Sequence, residues 1–363
     1  MTCQHCRPRY FENFDLGTLY LLAPIEHTMA KLERVLLQHN VANTRQDNML
    51  IVNITGQMTE ITELLSQQLS HAERNDTRTL FMAHDEEVSA DQIVNARSLS
   101  ELLAKVSSRW LVDMIADKAL RVHLQPIVHA HNVDSVYAYE CLLRGVASDG
   151  SLVSPKVMFD IAESAKLTYQ LDRAARLAAI RTIIEQTITS NVFINFNPTS
   201  VYDPHTCLRT TFAAIENADL NPQQIVFEVT ESEYISDLPH LLNIITHYRS
   251  EGFRVALDDL GAGYGSLGLL AELKPDIVKL DRRLISNIDK DEFQQGVLQS
   301  LLSMAQRLGI ETVAEGIERP QERDWLIEHG ATYLQGYLFG RPQERPMAPA
   351  GVIESGNFTA KAP

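Results

Sequence analysis

No stretch of the chain limits its fold as tightly as residues 253–268, Phe-Arg-Val-Ala-Leu-Asp-Asp-Leu-Gly-Ala-Gly-Tyr-Gly-Ser-Leu-Gly. It opens as a short apolar run with a β-branched residue, the pattern of a strand buried on both faces. It closes on two adjacent carboxylates, Asp258 and Asp259, followed by Gly261, Gly263 and Gly265. Successive side chains on a strand point to opposite faces. Both carboxylates therefore reach one site only if the strand is ending there, with the glycines turning the backbone away. Two acids at a strand rim can hold a divalent cation. An acidic, glycine-rich surface loop has the same composition, and this stretch alone does not separate the two readings.

At 363 residues the chain is long enough for about two domains. Its 45% hydrophobic and 22% charged residues are ordinary for a soluble globular protein. No apolar run approaches the roughly 20 residues that span a bilayer, and the N-terminal residues lack the apolar core of a signal peptide. A cytoplasmic location with no membrane partner is expected. The net charge of −15, with Asp+Glu at 47 against Lys+Arg at 32, repels duplex nucleic acid, whose phosphates require Lys and Arg to displace counterions. A small phosphorylated substrate stays open if metal ions neutralise it. Four cysteines, Cys3, Cys6, Cys141 and Cys207, are too few and too scattered for a disulfide framework. Cys3-Gln4-His5-Cys6 has the spacing of half a zinc site but no second pair nearby, and residues 1–15 read as a flexible, reduced terminus.

Residues 16–85 alternate between strand and helix patterns. Thr18–Ala23, Met49–Ile54 and Thr79–Met82 read as strands, Glu26–Asn40 and Met58–His71 as helices. This is a small α/β module with no phosphate loop and no clustered acids, open to a sensory, partner-binding or packing role. Residues 86–118 read as a polar boundary followed by a helix with Leu102, Leu103, Val106, Trp110, Leu111, Met114 and Ile115 at helical spacing. Such a helix packs on the next domain or assists dimerisation. The last residues, 346–363, have the composition of a disordered tail.

From residue 119 to about 345 the chain repeats strand and helix. Strands are expected at 120–128, 136–144, 191–197, 224–230, 253–259, 275–281, 311–316 and 332–338. Helices are expected at 155–166, 168–189, 235–251, 291–308 and 320–329. Eight strands, mostly linked by helices, point to an α/β barrel. The first two are joined by too short a loop for a crossover helix, so they form an antiparallel hairpin and the barrel is irregular at its start. Active residues of such barrels gather at the strand ends. Read in order, those ends carry Glu140, Asn195, Glu228 with Glu231, Asp258 with Asp259, Lys279 with Asp281, Glu315 with Glu318, and Gln335. Crowded carboxylates repel one another unless cations neutralise them. With no histidine or cysteine at these ends, Mg²⁺ or Mn²⁺ suits the site better than zinc. Two such ions suit phosphodiester cleavage. Lys279 stays protonated among these acids and is placed to hold a water or a phosphate oxygen, and Gln125 and Arg144 can bind substrate phosphates.

Several short motifs resemble those of the EAL-domain family of cyclic-di-GMP phosphodiesterases. They are Leu124-Gln125-Pro126-Ile127, Glu140-Cys141-Leu142-Leu143-Arg144, Asn195 before Asn197-Pro198, and Glu228-Val229-Thr230-Glu231. Asp258-Asp259-Leu260-Gly261-Ala262-Gly263-Tyr264, Lys279-Leu280-Asp281, Ala314-Glu315-Gly316-Ile317-Glu318 and Gln335-Gly336-Tyr337 complete the set, which runs from about residue 119 to Pro342. The resemblance implies an irregular (β/α)₈ TIM-like barrel that hydrolyses cyclic di-GMP to linear pGpG in bacterial signalling. It implies that Glu140, Asn195, Glu228 and Asp258 hold one metal ion, and that Asp258, Asp259 and Glu315 hold a second. It further implies that Lys279 contacts the attacking water and that Gln125, Arg144, Asp281 and Gln335 serve the substrate. Glu231 would brace the loop 260–266, with Glu318 in support, and the barrel would form a homodimer. Cys141 stands where the family most often has alanine, and reads as a small core residue facing away from Glu140. Leu260, Ala262 and Gly265 also depart from the family pattern, without removing an acid. A non-catalytic cyclic-di-GMP receptor or protein-interaction module on the same scaffold is the alternative; degenerate members of that kind usually lack one or more of these acids.

Overall fold

The computed structural model describes residues 14–83, 92, 96–230, 237–261 and 266–346. Cys3, Cys6, Glu231, Gly263, Gly265 and all but the first residue of the 346–363 tail lie outside them. The described residues form two compact units, one of residues 14–117 together with 156–171, the other of residues 118–155 together with 172–346.

In the first unit, β1 (Leu16–Leu22), β2 (Asn43–Gln46), β3 (Met49–Thr55), β4 (Arg78–Ala83) and β5 (Arg97–Ser98) form one sheet in the order β2-β3-β1-β4-β5. Every pairing is antiparallel. Period-two alternation sends Leu19 and Leu21 of β1 and Leu50, Val52 and Ile54 of β3 into one core. Opposite them lie Met29, Leu32 and Leu36 of the helix Glu26–Gln38 and Met58, Ile61 and Leu65 of the helix Met58–Gln68. The short helix His71–Asp76 starts in a capping box between Ser70 and Glu73. The sequence pattern misses β2 and β5, because neither buries a residue and so neither carries an apolar signature.

The expected single helix in the 86–118 segment is two, Leu99–Ser107 and Arg109–Ala116, meeting at Ser108. Leu99 and Leu102 sit in the same core as β1 and β3. The segment is thus an integral layer of the first unit rather than a connector. Residues 156–171 group with this unit as well, and Lys166 pairs with Glu101 inside it.

In the second unit the eight expected strands all occur, as β6 (Leu120–His129), β7 (Asn132–Val146), β9 (Asn191–Asn195), β10 (Ile225–Thr230), β11 (Arg254–Leu260), β12 (Ile277–Leu280), β13 (Glu311–Ala314) and β14 (Tyr333–Gln335). A two-residue strand β8 (Leu152–Val153) pairs on the end of β7. The order β6-β14-β13-β12-β11-β10-β9-β7, closed by β6 on β7, is a barrel. Its strands are parallel except β6, which runs antiparallel to both neighbours as the hairpin reading requires. Of the helices expected from periodicity, all but the first residue of Pro155–Ser164 falls in the first unit and Thr168–Glu185 runs from the first unit into the second, whereas Leu238–Ser250, Glu292–Leu308 and Pro320–Glu328 belong to the second. Four shorter ones, Pro204–Cys207, Arg209–Asn217, Ser266–Leu273 and Arg282–Ile285, are additional.

One buried layer crosses the barrel, built from Ile127, Ala138, Phe193, Val226, Ala256, Ile277, Val313 and Tyr333, one residue from each strand. This layer fixes which side chains can point inward above it. Among the described residues no helix is long and apolar enough to cross a membrane.

Candidate active site

Side chains on a strand return to the same face every second residue. Two residues beyond the apolar layer, toward the C-terminal ends of the parallel strands, stand Glu140, Asn195, Glu228, Asp258, Lys279, Glu315 and Gln335. On β6, which runs the other way, two residues before the layer stands Gln125. All eight polar positions are therefore one ring, stacked directly on the hydrophobic layer.

Lys279 is the centre of that ring. Its Nζ lies 2.8 Å from Glu315 Oε1, 2.9 Å from Glu228 Oε1, 3.1 Å from Asp258 Oδ1 and 3.5 Å from Glu140 Oε1. Lys279 and Glu228 are fully buried. Burial by itself would lower the lysine's affinity for its proton, but the carboxylates of Asp258, Glu140, Glu228 and Glu315 raise it well above its ordinary range. It is an ammonium throughout.

One ammonium cannot neutralise four carboxylates. Burial, reinforced by Glu140 and Asp258, pushes Glu228 well above the usual carboxylate range despite Lys279. Burial likewise raises Glu315 to about 8 and Asp259 to about 6, with neighbouring acids adding to the rise. Glu228 is buried with no donor other than Lys279, whose Nζ reaches Oε1 at 2.9 Å and leaves Oε2 without a hydrogen bond. Buried acceptors left without donors cost free energy. A hard dication would satisfy these oxygens, and the all-oxygen donor set fits Mg²⁺ or Mn²⁺.

Asp258 and Asp259 reach one site where the strand is ending, as expected: β11 stops at Leu260 and Gly261 turns the chain with φ of 99°. What the sequence reading did not anticipate is a bulge that shifts the register between Leu257 and Leu260, with Asp259 in a left-handed backbone with φ of 60°. Aspartate tolerates that region better than most residues. Carboxylate oxygens of Asp258, Asp259 and Glu315 consequently lie within 4.8 Å of one another.

The remaining predicted residues divide into those in the ring and those at its edge. Asn195 is in register with Glu228 on the adjacent strand, its side chain exposed. Gln335 Nε2 donates to Glu140 Oε2 at 2.5 Å and lies 3.4 Å from Gln125 Oε1. Gln125 Nε2 donates to the Gly340 carbonyl at 3.2 Å. Arg144, on the same face of β7 as Glu140, is half-buried and donates to the Leu143 carbonyl at 2.7 Å. Asp281 caps the helix Arg282–Ile285, accepting from Arg283 N at 2.9 Å and Arg283 Nε at 2.8 Å. Glu318 pairs with Arg282 at 3.0 Å on the rim.

Sequence reasoning passed over Arg282. Its side chain lies across Gly316, whose φ of 68° and lack of a Cβ leave room for it. The signal available was the basic pair directly after Lys279-Leu280-Asp281. Cys141 is buried, as expected of a small core residue.

Residues 108–342 match the sequence pattern of the EAL domain. Among curated proteins, the probable cyclic di-GMP phosphodiesterase PdeB of Escherichia coli K12 is 33% identical over 238 residues, 64% of this chain and 44% of that protein. The cyclic di-GMP phosphodiesterase PdeR of the same organism is 30% identical over 230 residues, 61% of this chain and 34% of that protein. The chain thus spans less than half the length of either relative. Among solved structures, a standalone EAL protein from Vibrio cholerae O395 in its c-di-GMP-bound form is 33% identical, with a TM-score of 0.58 over 63% of this chain and 95% of its own. BlrP1 of Klebsiella pneumoniae, solved as a manganese/cy-diGMP complex, is 22% identical with a TM-score of 0.56, and covers 90% of this chain and 96% of its own. That second likeness is one of fold.

Proposed function

The chain belongs to the EAL-domain family, and from that premise we propose that it hydrolyses cyclic di-GMP to linear pGpG with the help of two Mg²⁺ or Mn²⁺ ions. The observation that carries this reading is the ring of Glu140, Glu228, Asp258 and Glu315 around Lys279, in which four acids share one ammonium and Glu228 Oε2 is buried without a donor. Glu140, Asn195, Glu228 and Asp258 would hold one ion, and Asp258, Asp259 and Glu315 the other. When bound, the ions would activate a water and draw charge from the reacting phosphate.

The chain's own residues do the rest. Lys279, held protonated, donates a hydrogen bond to the attacking water or to a phosphate oxygen and takes no proton from either. Gln335 holds Glu140 in place by donating to it. Gln125, Arg144 and Asp281 bind the substrate, and Glu231 and Glu318 support the loop after β11. The apolar layer beneath the ring keeps bulk water from the carboxylates' lower side. Every acid position in the family pattern holds an acid here, which favours catalysis over a non-catalytic receptor. Homodimerisation through the barrel domain and a ligand or partner for the first unit belong to the same proposal.

Incubating the protein with cyclic di-GMP and either Mg²⁺ or Mn²⁺, and separating the nucleotides by chromatography, tests the catalytic reading. Linear pGpG is expected. Binding of cyclic di-GMP without any product under either metal would replace it with the receptor reading.

A further inference from the structure

We propose that Asp172, outside the carboxylate ring, is the positioning residue for Asn195 and thereby sets the affinity of the site for divalent cations. The inference rests on the cation-dependent reading above and extends it to the helix that precedes β9.

Asn195 is the last residue of β9, and its exposed side chain takes its aim from the backbone. That backbone has two anchors past the strand. Phe196 N donates to the Glu228 carbonyl at 3.1 Å, which ties the exit of β9 to the neighbouring ligand strand. Asn197 N donates to Asp172 Oδ1 at 2.9 Å. The other Asp172 oxygen accepts from Ser200 Oγ at 2.7 Å and pairs with Arg176, one helical turn on. Ser200 lies in the turn Pro198–Ser200, so a single carboxylate grips both ends of the segment that follows Asn195.

The burial of this carboxylate needs explaining. Asp172 is 2% exposed and Arg176 is fully buried, with Arg176 Nε donating to Thr211 Oγ1 at 3.3 Å. Well-packed apolar residues usually replace a buried ion pair at no loss of stability. What apolar residues cannot do is accept the Asn197 N–H and the Ser200 hydroxyl together. The pair is therefore placed to hold the Asn195 turn, as a partner behind a metal ligand does.

The test uses the full chain, with Mn²⁺ binding followed by calorimetry for the wild type, Asp172→Asn, Ser200→Ala and the core variant Leu298→Ala on the helix Glu292–Leu308. Loss of a group that orients a ligand typically weakens metal affinity about 10- to 100-fold, and that range is expected for Asp172→Asn. Ser200→Ala should weaken binding by a smaller factor, and Leu298→Ala should lower Tm without changing Mn²⁺ affinity. Turnover of Asp172→Asn at saturating Mn²⁺ should return close to wild type, which a merely unfolded fraction would not do. If Asp172→Asn fails to fold, Ser200→Ala carries the test. Folded variants that bind Mn²⁺ as the wild type does overturn the role of Asp172 alone. Wild-type protein that binds no Mn²⁺ overturns the cation site, and this inference with it.

Discussion

The same strands build two polar networks at opposite ends of the barrel, and the two are balanced differently. At the N-terminal end, Tyr137 of β7 and Tyr333 of β14 stack with centroids 3.6 Å apart. Arg254 of β11 donates to the Tyr137 hydroxyl at 2.6 Å and pairs with Glu311 of β13. Tyr333 donates to Glu311 Oε1 at 2.7 Å, and His129 packs edge-on against both tyrosines. One positive group there meets one negative group, and the tyrosine hydroxyls fill the remaining positions. A few residues further along β7, β11 and β13, Glu140, Asp258 and Glu315 join Glu228 around one lysine. The lower network closes the barrel, whereas the upper one holds more negative charge than its own lysine can neutralise. Polar residues at a strand end thus mean different things according to whether their charges already sum to nothing.

The sharpest way to break that contrast is Glu140→Ala. Glu140 is proposed as a metal ligand worth several kcal/mol, so its loss should lower turnover by about a thousandfold, read by pGpG formation. Metal-free Tm should hold or rise, because one repelling carboxylate has gone. A metal-free Tm that falls as after a core truncation would mean that the upper acids stabilise the fold, and the contrast would fail.

Next in size is the response to pH without metal. Asp259 at about 6 and Glu315 at about 8 are raised above the unfolded carboxylate range. Groups of that kind contribute stability that is complete below their unfolded values and disappears as pH rises through the folded ones. Chelator-treated protein should therefore lose Tm steadily between about pH 5 and pH 9. Mn²⁺ at a hundred times its dissociation constant should return about 2.7 kcal/mol, and bind more tightly at high pH, where fewer protons must leave. Glu73 in the first unit shifts the opposite way, to about 2, through Lys31 and the Ser70 backbone. Its contribution fades only in strong acid, so an alkaline loss belongs to the barrel. A flat Tm from pH 5 to pH 9 would contradict the crowding account.

At the lower network, Glu311→Gln leaves Arg254 without its charge partner. The pair is partly exposed, so the cost should be about 1–2 kcal/mol, with a fall of about 2–4 °C in Tm per kcal/mol for a barrel of this size. Turnover should be unchanged. A tenfold loss of turnover would show that the lower network acts on the site.

The barrel and its ring were legible because each parallel strand repeats one local rule, an apolar inward residue followed two positions later by a polar one, with the order reversed on β6. Val226 with Glu228 and Ile277 with Lys279 display it without any knowledge of neighbours. What stayed hidden depends on groups distant in sequence or on polar pairing. The strand β2, Asn-Thr-Arg-Gln, is held by the backbone of β3 rather than by a buried face. The bulge at Asp258 and Asp259 arises from register against β12, which the local alternation of β11 does not contain. Asp281 reads at the sequence level as a strand-end acid like the others, yet its oxygen is used on its own helix start. The break at Ser108 is equally silent, since Leu102 to Ile115 keep helical spacing across it.

The smallest expected effect lies one residue from the largest. Cys141 follows Glu140 on β7, so alternation turns its thiol away from the ring and into the packing outside it. Burial pushes the thiol well above its ordinary range, and the nearby Glu140 and Glu228 charges add to the rise. A buried thiol of that kind stays protonated near neutral pH and is inert as a nucleophile. Replacement by alanine removes about one heavy atom's worth of packing, roughly 1 kcal/mol, and should leave turnover within about twofold, well under one factor of ten. Intact mass after treatment of the native protein with a thiol-alkylating reagent should show Cys141 unmodified. Alkylation there in the folded state, with turnover lost in step, would make this position part of the ring's chemistry and erase the distinction between the two faces of β7.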